Sequence, residues 1–451
     1  MKRTIAMLCI LVVSFAGHAQ DKNFDISKYK FPDYKRHELE LNFNSRGNSE
    51  ERFIKIPESS NPNIAQLEIS NSSINNHLNL GYSYENYTRK RIDSFYSSLN
   101  SQYNFSKSSY QGNQSKQLTP TVDWSFNGFR RYYLTEDKVF LEGITDLLSN
   151  YTNRKSTYGD GDTITDITKS GQLIVSAGMG IGIGRIEKVS DLWQAYYILE
   201  KLKQQKSLSR ELQEKDVFEF AKLASLLKNK RFFDARLRKI AELQALDSLL
   251  KNQGLIHESE IAYFTTLNDY WSYGNFGKRK SGKELKFQLS PEYNIEYYKT
   301  RTATPISTSM LNLVAKLQFD CSKQFNLFWD RNIHIDVVNT TLLAKDEDVP
   351  DDFPGNLFGT NASLGFGFYP DSRTQLRLSA NYHGGEQPTY IKSNTSKAWF
   401  NEFSLNMEAN YYISPQFQIT ANLNGNYWFS DYNSSKGHDI YYNLGVRYAI
   451  F

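Results

Sequence analysis

The chain has 451 residues, with 53 Lys and Arg against 49 Asp and Glu and a formal net charge of +4. A mean hydropathy of −0.57 argues against a polytopic helical membrane protein. The near-neutral charge gives no case for nucleic acid, and two cysteines, Cys9 and Cys321, cannot build a disulfide framework.

Lys2 and Arg3 precede an apolar run from Ile5 to Phe15, and Gly17-His18-Ala19 follows. This pattern predicts a signal peptide over 1–19, cut after Ala19, so the chain is expected to be exported. Its removal lowers the formal net charge from +4 to +2.

Beyond it, period-two alternation dominates. Phe403, Leu405, Met407, Ala409 and Tyr411 alternate with Ser404, Asn406, Glu408 and Asn410. Leu376, Leu378, Ala380 and Tyr382 alternate with Arg377, Ser379, Asn381 and His383. Such strands have one face in an apolar medium and one in water. Their length of 10–15 residues, their Asn/Gln/Ser-rich polar face and the aromatics near their ends fit a transmembrane barrel better than a soluble sandwich. Fourteen strands are expected, near 35–46, 75–89, 91–107, 118–131, 138–152, 170–186, 283–301, 308–322, 324–338, 357–369, 373–384, 397–413, 416–429 and 438–450; twelve remain if the weak first pattern is left out. Short periplasmic turns should follow the even strands and longer surface loops the odd ones.

Within the sixth strand, Gly178, Gly180, Gly182 and Gly184 recur every second residue, without dinucleotide-loop spacing. They should face the lumen, with Met179, Ile181 and Ile183 toward lipid, leaving room for an inward-folded segment or a permeant. Arg377, His383 and Glu408 are expected on the same lumen face.

Between the sixth and seventh strands the period becomes helical: Leu192, Ala195, Leu199 and Leu202 share one face, and Val217, Phe220, Ala221 and Ala224 another. Leu237, Ile240, Leu243, Leu246 and Leu250 make a third stripe. Ser190 is placed to cap the first helix and Gly254 to end the third, with a fourth near 258–271. The expected domains are barrel strands over 20–186, a periplasmic helical insertion over 187–280 and barrel strands over 281–451. Lys228, Lys230, Arg231, Arg236, Arg238 and Lys239 form a basic cluster around Phe232 and Phe233. It reads as a docking face for an anionic partner, a lipid headgroup or an acidic periplasmic protein, or as a solvated helix face.

Asp346, Glu347, Asp348, Asp351 and Asp352 could bind a divalent cation, or bridge lipopolysaccharide phosphates through one, or form a solvated loop. None of the histidines past the signal segment stands in HExxH or has a close carboxylate at ligand spacing, and no GxSxG elbow occurs. His383 alone is suggestive. No enzyme activity and no cofactor are expected.

The chain ends Asn443-Leu444-Gly445-Val446-Arg447-Tyr448-Ala449-Ile450-Phe451. Asn443, Gly445, Tyr448, Ile450 and the terminal Phe451 fill the places of the C-terminal signal of outer-membrane barrels, a resemblance that implies recognition by the barrel-assembly machinery. The Tyr/Asn/Lys-rich style, Gln20 after the cleavage site and the helical insert resemble outer-membrane proteins of Bacteroidota. The expected fold is a 14-stranded antiparallel outer-membrane β-barrel with a periplasmic α-helical insertion. The expected function is a channel or transporter for small solutes; the alternative is a non-conducting subunit that anchors a periplasmic interaction domain.

Overall fold

The computed structural model describes residues 25–55, 66–110, 113–135, 138–159, 164–229, 235–256, 260–273, 279–391, 394–414, 417–431 and 434–448. The signal segment, Phe232, Phe233, Ile450 and Phe451 lie outside these. The first strands are β1 (Tyr34–Lys55), β2 (Gln66–Tyr87), β3 (Arg91–Tyr110), β4 (Asn113–Tyr133), β5 (Val139–Gly159) and β6 (Ile164–Lys188). Four helices follow: α1 (Ser190–Gln204), α2 (Glu214–Asn229), α3 (Ala235–Asn252) and α4 (Ile261–Tyr273). The chain then continues through β7 (Lys280–Lys299), β8 (Ile306–Gln324), β9 (Trp329–Lys345), β10 (Asn356–Phe368), β11 (Thr374–Ile391), β12 (Asn394–Ser414), β13 (Phe417–Ser430) and β14 (Ser435–Tyr448).

Every strand pairs antiparallel with its sequence neighbours, in the order β1 to β14, giving the fourteen-stranded antiparallel wall of a transmembrane barrel. The fourteen-strand reading holds. No described helix is long and apolar enough to cross a membrane. Register fixes the faces: His334 sits opposite Ser363, Ser363 opposite Asn381, and Asn381 opposite Ser404, all on the polar side. Leu364, Ala380 and Leu405 line up on the apolar side. Arg131 of β4 touches Glu284 of β7 across two intervening strands, so the polar side is the inner one.

Most strands are longer than expected, β1 at 22 residues and β6 at 25, whereas β10 and β13 have the expected 13 and 14. The difference lies at the end away from the helices. There, Ser, Asn and Lys continue the alternation past the apolar belt, and backbone pairing runs on, as between Ser106 and Gln117 or Ser156 and Asp166. Residues expected in surface loops are thus absorbed into extended hairpins. Among the described residues no ladder joins β1 to β14, and outward side chains there are barer than in the paired interior strands, Leu41 at 68% and Leu444 at 74% exposed against 42% for Leu405.

The helices bury Leu192, Ile198, Leu199, Phe220, Leu246 and Leu250 in one core, together with Ile26, Tyr29 and Phe31 from the segment leading into β1. The first two expected stripes are therefore core faces; of the third, Leu246 and Leu250 are buried and Leu243 packs against them, but Ile240 is 71% exposed. Ser190 does not cap α1: the N-cap is Val189, without a side-chain cap bond. The Ser190 hydroxyl instead accepts the N–H of Arg279 at 2.9 Å, while Val189 N–H donates to the Arg279 carbonyl at 2.9 Å. The two ends of the insertion are tied together there. Gly254 adopts a φ of +63°, a left-handed conformation that suits glycine, just past α3.

The start of α2 carries a capping device. The carboxylate of Asp216 accepts the N–H of Gln213 at 2.9 Å, and Arg210 donates to both its oxygens at 2.8 Å. Burial pushes the Asp216 pKa up, but the Arg210 hydrogen bonds, the Gln213 N–H and the nearby cations outweigh it and hold the group below its ordinary value. A depressed folded-state pKa stabilises above the unfolded value and is lost as pH falls through the folded one. Asp216→Asn is therefore expected to weaken α2 by about 1–2 kcal/mol at neutral pH. The gap to wild type should close below about pH 4. Amide hydrogen exchange over 214–229 checks both; a pH-independent difference would refute the charge argument.

Candidate functional site

The inner wall nearest the helices is crowded rather than open. Arg131 donates to Glu142 of β5 at 2.6 and 2.8 Å and to Glu284 of β7 at 2.6 and 2.9 Å. Gln288 reaches the other Glu142 oxygen at 2.7 Å. The intervening strand is β6, and its glycines make this bridging sterically feasible. A Cβ at Gly182 would collide with the Phe140 ring, over which the Arg131 guanidinium sits 3.9 Å from the centroid. Gly184, at φ +95°, lies against the Lys283 backbone, where a side chain would be both strained and obstructed. Phe140, Ser290 and Gln288 take up the space beside Gly178, Gly180 and Gly182.

Next to this cluster, Arg185 lies between the rings of Tyr87 and Tyr133, at 4.8 and 4.6 Å. It donates to the carbonyls of Arg89 and Thr88 at 2.8 and 3.0 Å, which fixes the β2–β3 turn to β6. Glu187 pairs with Arg89 at 2.6 Å and accepts from the Tyr87 hydroxyl at 2.7 Å.

Farther along the wall, β8 to β11 contribute a polar row. His334 places Nδ1 2.7 Å from Asp320 and Nε2 3.1 Å from Asp336. Lys316 pairs with Asp336 at 3.3 Å, Asn361 donates to Asp336 at 2.7 Å, and Asn361 Oδ1 meets His383 Nδ1. No HExxH or other motif spacing marks this pairing in the sequence; it arises from register. Asp336 lies two residues along the same face of β9, and register brings Asp320 of β8 opposite. His383 is in the row, but at its edge. Arg377 faces Glu408 across the β11–β12 ladder on the inner side.

The helices are held to the wall by a buried joint. Arg279, 1% exposed, lies between Trp193 of α1 and Tyr369 at 4.5 and 4.3 Å. Its guanidinium donates to Gln324 at 2.9 Å and to the Leu327 carbonyl at 2.8 Å, with Asp330 3.5 Å away. Trp193 Nε1 donates to Gln324 at 2.9 Å and the Tyr197 hydroxyl to the Tyr369 carbonyl at 2.8 Å. Asp269 of α4 accepts two bonds from Arg373, in the β10–β11 turn, at 3.0 Å. Phe31 packs edge-on against Tyr87 at the other side. The helical core thus touches turns from β2–β3 to β10–β11, eight strands apart along the wall. Sequence reasoning missed Arg279, which has no periodic or motif signal.

The remaining candidates do not converge. Lys228 turns into the bundle, 2.6 Å from Asp191 and over the Trp271 ring, rather than outward. Arg238 is exposed and Lys239 half-buried, while Lys230, Arg231 and the Arg236 side chain lie outside the described residues. In the acidic loop, Asp346 accepts the Ser309 N–H, and Lys345 pairs with Asp351 at 3.6 Å and donates to the carbonyls of Val349 and Pro350. Among the described residues, which include Glu347, Asp348, Asp351 and Asp352, no three His, Cys, Asp or Glu side chains are arranged to hold a metal ion. Asn443, Gly445 and Tyr448 lie on β14.

No family model matches the chain. No curated protein does. Among solved structures, the ferric yersiniabactin uptake receptor FyuA from Yersinia pestis aligns at 7% identity and a TM-score of 0.37, over 88% of this chain. The chain spans about half of that receptor, 49%. The Pseudomonas putida toluene transporter TodX aligns at 9% identity and a TM-score of 0.29, over 92% of this chain and 89% of that one. The translocator domain of the autotransporter NalP from Neisseria meningitidis gives 7% identity and a TM-score of 0.26, over 100% and 97%. At these scores none of the likenesses carries a ligand or an activity over to this chain.

Proposed function

We propose that this chain is an outer-membrane channel for small polar solutes, exported by the signal segment over 1–19, with its helical domain docked as a cap across the periplasmic mouth. The signature at Asn443, Gly445, Tyr448, Ile450 and Phe451 marks it for the barrel-assembly machinery. In the bilayer β1 and β14 close the ring, because lipid offers no partner to their edge N–H and C=O groups. The single observation that carries the reading is the joint around Arg279: it fixes a folded bundle across one end of a wall whose inner face is polar. Solutes passing between the bundle and the wall meet Asn, Ser, Glu and Lys side chains, which favours hydrated, weakly charged permeants.

Liposome swelling with neutral sugars of increasing size tests this. Vesicles holding the full chain should swell with the smallest sugars and not with the largest. Absence of swelling with every sugar would remove the channel reading and leave the anchor of a periplasmic interaction domain in its place.

A further inference from the structure

The outer face of β3 to β7 carries a depression in an otherwise bulky apolar belt. Register sets Arg130, Gly143, Met179 and Leu289 in one row and Gly128, Thr145 and Ala177 in the next. The rows on either side carry Leu141 and Ile181, and Phe126 and Val175. The small side chains leave a groove of about 700 Å³, walled by Phe95 and Leu289 and ending at Arg130. A Cβ at Gly143 would meet no atom within 4 Å, so the floor is open.

The end of the groove is cationic. Arg130 and Arg91 share one buried carboxylate, Asp93, with Arg130 Nε at 3.1 Å and half of the Arg130 side chain still exposed. Two guanidiniums on one carboxylate leave a net positive charge. Lys35 adds another in the same cross-strand row, through Asn86. Arg130 lies three residues from the end of β4 at Tyr133, at the short-turn edge of the belt, so the groove runs from that edge toward the middle of the wall.

We propose that this groove seats an anionic phospholipid of the leaflet on the short-turn side, its phosphate at Arg130 and one acyl chain over Gly143 and Ala177. The proposal rests on the reading of this wall as membrane-embedded. A cation at one end of an apolar trough matches a molecule with an anionic head and a hydrocarbon tail, and hydrogen bonds between guanidinium and phosphate are among the stronger ones. Groove filling adds close contacts that the smooth parts of the belt do not offer.

Native mass spectrometry of the full chain, released from micelles holding equal phosphatidylglycerol and phosphatidylcholine, tests it. Wild type should retain phosphatidylglycerol roughly tenfold over phosphatidylcholine. Arg130→Gln should abolish the preference, since Arg91 still satisfies Asp93 and the wall stays folded. Gly143→Leu, whose Cβ meets no atom within 4 Å, should reduce retention of both lipids. Equal retention of the two lipids by wild type, or unchanged retention in both variants, overturns the proposal. Failure of the protein to float with vesicles of these lipids would defeat the membrane reading itself; insertion without selective retention defeats only the lipid seat.

Discussion

Arg131→Ala is expected to destabilise the barrel by about 3–5 kcal/mol, because it leaves Glu142 and Glu284 buried side by side without their cation. The Arg131 and Glu142 side chains are 6% and 1% exposed, so water cannot take over the lost bonds. Two carboxylates that shared one guanidinium would then repel each other. Gln288, which donates to Glu142, is neutral, and Lys286 stands 3.6 Å from the same carboxylate, too few contacts to compensate. Urea unfolding followed by heat-modifiable mobility measures the loss. Arg131→Met combined with Glu142→Gln and Glu284→Gln should recover most of it, since the uncompensated charges are then gone. Wild-type stability in Arg131→Ala would show that the cluster does not hold β4 to β7.

Arg279→Ala is the second large effect, and it falls on the helices rather than the strands. Loss of the guanidinium removes hydrogen bonds to Gln324 and the Leu327 carbonyl and the stacking on Trp193 and Tyr369, and it leaves Asp330 buried without its cation. A cost of about 3–5 kcal/mol to docking is expected. Hydrogen exchange should rise in α1 and in the turn at 325–328, while the heat-modifiable band of the barrel persists. Arg279→Lys should rescue little: an ammonium can neither stack between two rings nor present the same fork of donors. If exchange in α1 stays at the wild-type rate, the joint is not what holds the helices.

Much of the wall was legible because strand alternation is imposed locally. Register keeps the alternating sets together across strands: Arg377 sits opposite Glu408 and Gly180 opposite Glu142, while Leu378 sits opposite Met407 and Ala380 opposite Leu405. Register is not local, and what depends on it was not legible. Asp320 beside His334 needs β8 and β9 paired in one particular offset, and Arg131 against Glu284 needs the curvature across β5 and β6. The long hairpins, such as β1–β2 and β5–β6, exceed the expected lengths because the apolar half of the pattern stops at the edge of the belt while the backbone ladder continues through Ser, Asn and Lys. Ser190 stands ahead of a helical stripe, where a cap is expected, but its hydroxyl accepts the N–H of the docking partner Arg279 instead. The first two helical stripes, being local, form core faces, while the third contributes Leu246 and Leu250 and leaves Ile240 exposed.

The most direct test of a polar channel capped by a docked bundle is single-channel conductance in a planar bilayer, full chain beside Arg279→Ala. A small steady conductance in the intact protein, becoming larger or fluctuating when the joint is broken, is the predicted result. Silence from both proteins, or identical steady conductance from both, would contradict it.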